Sequence, residues 1–330
     1  MKAFTGYNRG VNLGGWLSQC DHTKERYDTF IKESDFENIA NRKFDHVRVP
    51  IDYELIQNKD RSFKEEGFRY IEFAITMCRK YKLNMILDLH KTLGYSFDPF
   101  HNELGFFESE DYQNNFYLIW DELAKRFGAN DDMLSFELLN EVTRKEYCDT
   151  WNQISTNCIE RIRKIAPDIN ILIGGYYNNS LEAVRDIAMP YDDKIVYTFH
   201  CYDPLLFTHQ GAFWIATMDT SFRCDYKMPF KKYDELSQKY LCQAYPSFDA
   251  FNMDDCPDAN YFETLLDDAI KVALERNVAL YCGEYGVIDR ADRNEAAKWF
   301  KDFHSIMDKY LIGRAVWNYK EMDFEISPEF

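Results

Sequence analysis

The chain has 330 residues, enough to bury one barrel-sized core or two smaller ones. Apolar residues make up 46% and aromatics 17%, which excludes an intrinsically disordered chain. A net charge of −17 sets the surface against nucleic acid and anionic membrane, and it suits a neutral substrate that needs no electrostatic steering.

The first residues, Met1–Gly6, carry no apolar core of signal-peptide length, and no later run approaches a membrane span. The expectation is a cytoplasmic protein, or a secreted one whose signal has been removed. Eight short runs then follow, nearly continuous in apolar or β-branched residues, as strands covered on both faces are. They are Gly10–Leu13, His46–Pro50, Asn84–Leu89, Leu134–Leu138, Asn170–Ile173, Ile195–Phe199, Ala279–Gly283 and Gly313–Trp317.

Between them lie apolar stripes at helical spacing. One joins Phe116, Ile119, Trp120, Leu123 and Phe127, and a second joins Trp151, Ile154, Cys158, Ile162 and Ile165, stopped by Pro167. A third runs from Phe262 through Leu266 and Ile270 to Ala273, and a fourth from Ala296 through Trp299 and Phe303 to Met307. Eight strand–helix alternations predict an α/β fold of the closed (β/α)8 TIM-barrel kind, one domain over residues 1–330. An open doubly wound sheet is the rival. The stretch Gly10-Val11-Asn12-Leu13-Gly14-Gly15 does not have the spacing of a dinucleotide-binding loop.

Two places break the rhythm. Residues 203–260 are far longer than an ordinary βα loop, and they carry Phe207, Phe213, Trp214, Tyr226, Phe230, Tyr233, Tyr240, Tyr245 and Phe248. This predicts an aromatic-rich, partly helical inserted subdomain over one rim, with Lys232–Tyr240 as one of its helical pieces. After Trp317 only a short tail remains, and Pro328 argues against a long closing helix. Nine cysteines, an odd number with no Cys-x-x-Cys pair, read as small core residues and not as a disulfide framework or zinc site. A mostly reduced protein favours the cytosol.

In a barrel of this kind the active site lies at the C-terminal ends of the strands. Those ends offer Arg48, then His90, then Asn140 and Glu141, His200 and Tyr202, Glu284, and Trp317. Any one of them alone has an ordinary explanation as an ion pair, a solvated group or a core ring. His90, His200 and Glu141 could hold a metal. No His-x-His pair follows the first strand, however, and the seventh ends in Glu, so neither metal nor cofactor is expected.

The motifs at these ends carry a resemblance. Gly14-Gly15-Trp16, Arg48-Val49-Pro50, Asp88-Leu89-His90, Leu139-Asn140-Glu141, His200-Cys201-Tyr202, Gly283-Glu284-Tyr285-Gly286 and Val316-Trp317-Asn318 resemble the signature of glycoside hydrolase family 5, and within it the clostridial endoglucanase C type. The resemblance spans about Gly10 to Ile326. It implies Glu141 as the general acid/base and Glu284 as the nucleophile, kept ionised by Arg48. It further implies Tyr202 donating to Glu284, Asn140 on the sugar 2-hydroxyl, His90 and His200 positioning, and Trp317 as a stacking floor. Lys91 departs from the pattern, since many relatives carry a second His or a small residue there.

The expected function is a retaining endo-β-glucanase acting on β-1,4 linkages of cellulose-type and mixed-linkage glucans, as a monomer. Retention requires the two carboxyl groups about 5–5.5 Å apart, against about 6.5–9.5 Å for inversion. The alternatives are an exo-β-1,3-glucanase or a β-mannanase on the same framework, the choice lying in loops such as Gly94–Glu110 and the insert, or a non-catalytic glycan-binding barrel.

Overall fold

Eight parallel strands close into one barrel in sequence order, with β8 pairing back to β1. They are Arg9–Asn12 (β1), His46–Asp52 (β2), Asn84–Lys91 (β3), Leu134–Glu137 (β4), Asn170–Ile173 (β5), Ile195–Cys201 (β6), Ala279–Tyr285 (β7) and Gly313–Val316 (β8). The computed structural model describes residues 1–98, 103–241 and 248–326. All eight runs anticipated from the sequence are strands, and β2, β6 and β7 are buried at every position. One face of each strand packs inside the closed barrel and the other against the surrounding helices and turns, so neither face needs to be polar.

Strand lengths differ from the expectation where the chemistry lies. β3, β6 and β7 run on through His90, His200 and Glu284, so these three stand inside their strands. Arg48 sits mid-strand in β2 and reaches the site from below. The ladders slip by a residue between Phe199 and His200 against β7, and between Cys282 and Tyr285 against β8. Such irregularities re-aim side chains at barrel rims.

The four expected stripes lie on the helices Glu110–Phe127, Cys148–Arg163, Ala259–Glu275 and Arg293–Tyr310, with Ile165 just past the end of the second. Two further helices, Glu33–Asn41 and Glu65–Tyr81, cover the first strands. The alternation fails between β5 and β6. There the chain makes a single helical turn, Tyr176–Asn179, and a 3-10 turn, Glu182–Asp186. Tyr177, Asn178 and Asn179 all have φ between 51° and 58°. Left-handed backbone costs an L-residue about 1–2 kcal/mol, and Asn tolerates it better than most.

After β8, the backbone of Asn318 pairs with Phe324 and Ile326, and no helix follows among the described residues. A cleft of about 950 Å3 therefore lies beside the helix Arg293–Tyr310, lined by Phe300, His304, Arg314 and Phe324. Pro328 lies outside the described residues. At the opposite end of the barrel Phe4 and Tyr7 stack and close the core against Ile86, Leu172, Val196 and Tyr281.

In the segment from 203 to 260, Phe207, Tyr226, Phe230, Tyr233 and Phe248 are buried, and the helix Phe230–Tyr240 spans the expected piece. Tyr245 lies outside the described residues. The segment is tied to the last helix by Tyr226 Oη and Lys227 Nζ on Asp302, at 3.1 and 2.6 Å. Trp214 stands 6.4 Å from Phe324, so the segment meets the loop after β8.

Candidate active site

The floor of the site is a buried charge network. Arg48 is fully buried, and an unpaired cation there would be prohibitively costly. Its Nε donates to Glu137 Oε2 at 2.7 Å and its Nη1 to Glu284 Oε1 at 2.8 Å. Its Nη2 reaches Asn140 Oδ1 at 2.9 Å and Asp88 Oδ2 at 3.1 Å. Burial opposes the guanidinium charge, but Asp88, Glu137 and Glu284 outweigh it and hold the proton on Arg48 well beyond its ordinary range. Asn12 locks the base of the network: its Oδ1 accepts from Arg48 at 3.0 Å, and its Nδ2 donates to Gly283 O at 3.0 Å and Ala315 O at 3.1 Å.

Glu284 is the member of this network that faces the cleft. Its second oxygen accepts from Tyr202 Oη at 2.9 Å. Burial, and then the charges of Glu284 and Glu141, push the Tyr202 hydroxyl well above the usual phenol range, so it stays a donor. Glu284 thus accepts from a cation on one oxygen and from a phenol on the other.

Glu141 has the opposite setting. It follows β4 in a left-handed conformation, φ 45°, with Tyr95 Oη donating to its carbonyl at 2.6 Å. Burial raises its carboxyl above the ordinary range, against a hydrogen bond from Asn178 Nδ2 to Oε2 at 2.9 Å. His200 Nδ1 lies 2.7 Å from Glu141 Oε1 and 3.7 Å from Glu284 Oε2, between the two carboxyl groups. Burial lowers His200 to about 4, so it is neutral at ordinary pH. One oxygen of each Glu and His200 Nδ1 lie within 4.8 Å of one another. That spacing would also suit a metal ion, which the Arg48 cation beside Glu284 opposes.

At the site, two buried nitrogens have no partner among the described residues: Asn140 Nδ2 and His90 Nε2. The other atoms of both side chains are spoken for. Asn140 Oδ1 accepts from Arg48, and His90 Nδ1 sits 2.6 Å from Asp88 Oδ2. Buried polar atoms left open in this way are suited to an incoming hydroxyl. Trp317 stacks parallel to His90 at 5.9 Å between ring centroids. It requires Gly14, where an added Cβ would lie 2.4 Å from the indole. All eight residues anticipated from the sequence thus come together in one contiguous set of contacts, directly or through Asp88.

The sequence profile of the cellulase family, glycosyl hydrolase family 5, matches residues 7–323. The chain belongs to that family. It is 45% identical over 309 residues to cellodextrinase A of Ruminococcus flavefaciens, covering 94% of this chain and 84% of the relative. It is 39% identical to endoglucanase C of Acetivibrio thermocellus, over 98% of this chain and 94% of that one. Among solved structures, a hyperthermophilic endo-β-1,4-glucanase in complex with substrate superposes with a TM-score of 0.76 at 22% identity, covering 98% of this chain and 93% of that chain, a likeness of fold. This family 5 chain is accordingly a glycoside hydrolase.

Four site residues of the family 5 chain escape strand-end reasoning: Glu137, Asp88, Asn12 and Asn178. Glu137 and Asp88 do leave a signal, since a charge inside an apolar strand must be paired when buried. Asn12 leaves a weaker one of the same kind. Asn178 leaves none beyond an Asn-Asn pair in a loop. Lys91 is buried at the rim, paired with Glu54 and 4.0 Å from Glu103, and its ammonium lies 5.6 Å from the Tyr53 ring centroid. It ties the ends of β2 and β3 together. No helix among the described residues is long and apolar enough to cross a membrane.

Proposed function

We propose that the protein is a retaining endo-β-glucanase that cleaves β-1,4 linkages in cello-oligosaccharides, soluble cellulose-type chains and mixed-linkage glucan. The observation that carries this reading is the Glu141–Glu284 pair: oxygens within 4.8 Å, with burial favouring the acid form of Glu141 while Arg48 and Tyr202 both donate to Glu284. Two carboxyl groups in such contrasting settings divide into acid and nucleophile. The short separation supports retention, because an inverting pair stands about 6.5–9.5 Å apart to admit a water molecule.

In this reading Glu284 attacks the anomeric carbon as the glycosidic C–O bond breaks, and Glu141 gives its proton to the departing oxygen. Glu141, now ionised, takes a proton from water. The hydroxyl adds to the anomeric carbon, and the bond to Glu284 breaks. Asn140 Nδ2 and His90 Nε2 receive sugar hydroxyls over the Trp317 ring. The aromatic segment 203–260 forms a wall of the cleft as a subdomain of the single barrel, and the enzyme acts as a monomer. The eight described cysteines are all free, which supports a reducing compartment; Cys242 lies outside the described residues.

Digests of barley β-glucan, cellopentaose, laminarin and mannan, resolved by chromatography, test the specificity. Internal cleavage of the first two is expected. Glucose released from laminarin chain ends, or faster turnover of mannan, would favour the alternatives.

A second expectation concerns Glu141→Ala. General acid catalysis contributes roughly 10²–10⁴-fold, so cellopentaose cleavage falls by about that factor. An aryl cellobioside with an activated leaving group needs no proton and forms its glycosyl-enzyme at a rate much nearer the parent's. Azide then releases a β-glycosyl azide, the retained product. Equal losses on both substrates would contradict the assignment.

A further inference from the structure

The turn after β5 carries an unusual concentration of left-handed backbone. Tyr177, Asn178 and Asn179 adopt it in succession, closed by Asn179 N to Gly175 O at 3.2 Å and Ser180 N to Tyr176 O at 3.1 Å. Strain of this kind persists where the surroundings over-determine it, and it concentrates at functional sites. Here the turn is pinned to the acid/base loop itself, by Asn178 N on Val142 O at 3.0 Å. Its two carboxamides then reach the two members of one pair: Asn178 Nδ2 meets Glu141 Oε2 at 2.9 Å, and Asn179 Nδ2 lies 3.4 Å from His200 Nε2.

These contacts distribute the protons. An amide NH2 only donates, so His200 Nε2 is the acceptor and the ring proton sits on Nδ1, facing Glu141 Oε1. Glu141 Oε1 is therefore held from the buried side. Asn178 is exposed, so Glu141 Oε2, which meets it, is the oxygen on the solvent side, while Oε1 faces the buried His200.

We propose that Asn178 is a positioning residue for the proton-donating step, its amide holding Glu141 Oε2 toward the cleft and favouring the carboxylate that forms as the proton leaves. The proposal rests on the acid/base reading of Glu141. A carboxamide suits the task because it presents N–H to the ionised oxygen and, turned about its terminal bond, C=O to the protonated one. Burial alone would hold the proton too firmly; the Asn178 donor opposes burial. The other groups around Glu141 are His90 and Asp88 on β3, Arg48 on β2, His200 on β6, Tyr202 just past β6, Tyr95 on the loop after β3, and Glu284 on β7. None of them contacts Oε2 among the described hydrogen bonds.

The test compares the pH dependence of kcat/KM for the parent, Asn178→Gly and Asn178→Asp, on cellotetraose and on 2,4-dinitrophenyl β-cellobioside. Glycine keeps the left-handed backbone and removes the amide; aspartate keeps the shape and replaces the donor with an anion. Loss of the donor makes Glu141 keep its proton to higher pH, so the alkaline limb on cellotetraose moves up in Asn178→Gly. It moves further in Asn178→Asp, where a like charge resists ionisation. The ratio of dinitrophenyl to cellotetraose activity also rises severalfold in both. An alkaline limb that stays with the parent's in both variants overturns the proposal, whatever the loss of rate. Glu141→Ala, run alongside, separates the two levels. If it keeps the parent's cellotetraose activity, the acid/base reading itself fails.

Discussion

Glu284→Ala is expected to lose hydrolysis by on the order of 10⁴-fold or more, because in the proposed double displacement Glu284 forms the covalent intermediate. The fold should survive. Glu284 is one of three carboxylates on Arg48, and Glu137 and Asp88 remain at 2.7 and 3.1 Å when it is gone. The vacated space lies between His200 and Arg48 on the nucleophile's face of the cleft, so a small anion such as azide can enter it. Azide should restore turnover of an activated aryl cellobioside and yield an α-glycosyl azide, the inverted product, identifiable by its anomeric proton in NMR. This is the stereochemical opposite of the outcome for Glu141→Ala. Unchanged turnover in Glu284→Ala would end the double-displacement reading, and a β-azide product would show that the two roles had been exchanged.

Arg48→Met should be the most destabilising single change in the site. It leaves Glu137, Asp88 and Glu284 without their cation, and removing one partner from a buried ion pair costs about 3–5 kcal/mol. The deficit depends on pH in a definite direction. Burial already raises Asp88 to about 7 and raises Glu137 with Arg48 in place; without Arg48 both rise further. A carboxyl group whose folded-state pKa is raised supports folding below its unfolded value, about 4, and that support is lost as pH rises through the folded value. The difference in stability between parent and variant is therefore small near pH 4 and grows as pH rises past the parent's folded values, for Asp88 above about 7, which urea denaturation at several pH values measures. A deficit that does not vary with pH would mean that packing, and not charge, accounts for the cost. Activity falls too, since Glu284 loses the guanidinium that holds its Oε1 at 2.8 Å.

These two residues also mark how far the sequence could be read. The barrel was legible because its determinants are local. Runs such as Asn84–Leu89 and stripes such as Phe116–Phe127 declare buried strands and amphipathic helices through spacing alone, and the strand count closes the barrel. The absent helix between β5 and β6 was not legible, because a strained three-residue turn has no periodicity to detect. Six of the seven motif-bearing strand ends named the candidate site residues, since parallel strands deliver their C-terminal ends to one rim. Even so, strand-end reasoning places Arg48 at the rim, whereas it lies inside β2 and is fully buried. Its role depends on which carboxylates surround it there.

The run Phe136–Glu141 divides the two kinds of information most sharply. Its sequence alone established a buried strand ending in an amide and a carboxylate, within a family 5 barrel. Strand-end position and resemblance single out Glu141, but not what sets it physically apart from Glu137: Glu137 closes an ion pair on Arg48, whereas burial and a neighbouring amide act on Glu141. That distinction rests on separations of a few ångströms between groups far apart in the chain: Arg48 against Glu284, Asn178 against Glu141, His200 between two glutamates. Spacing along the chain governs periodicity, whereas desolvation and Coulomb interaction depend on distance through space. The tertiary structure alone decided the electrostatics of the site.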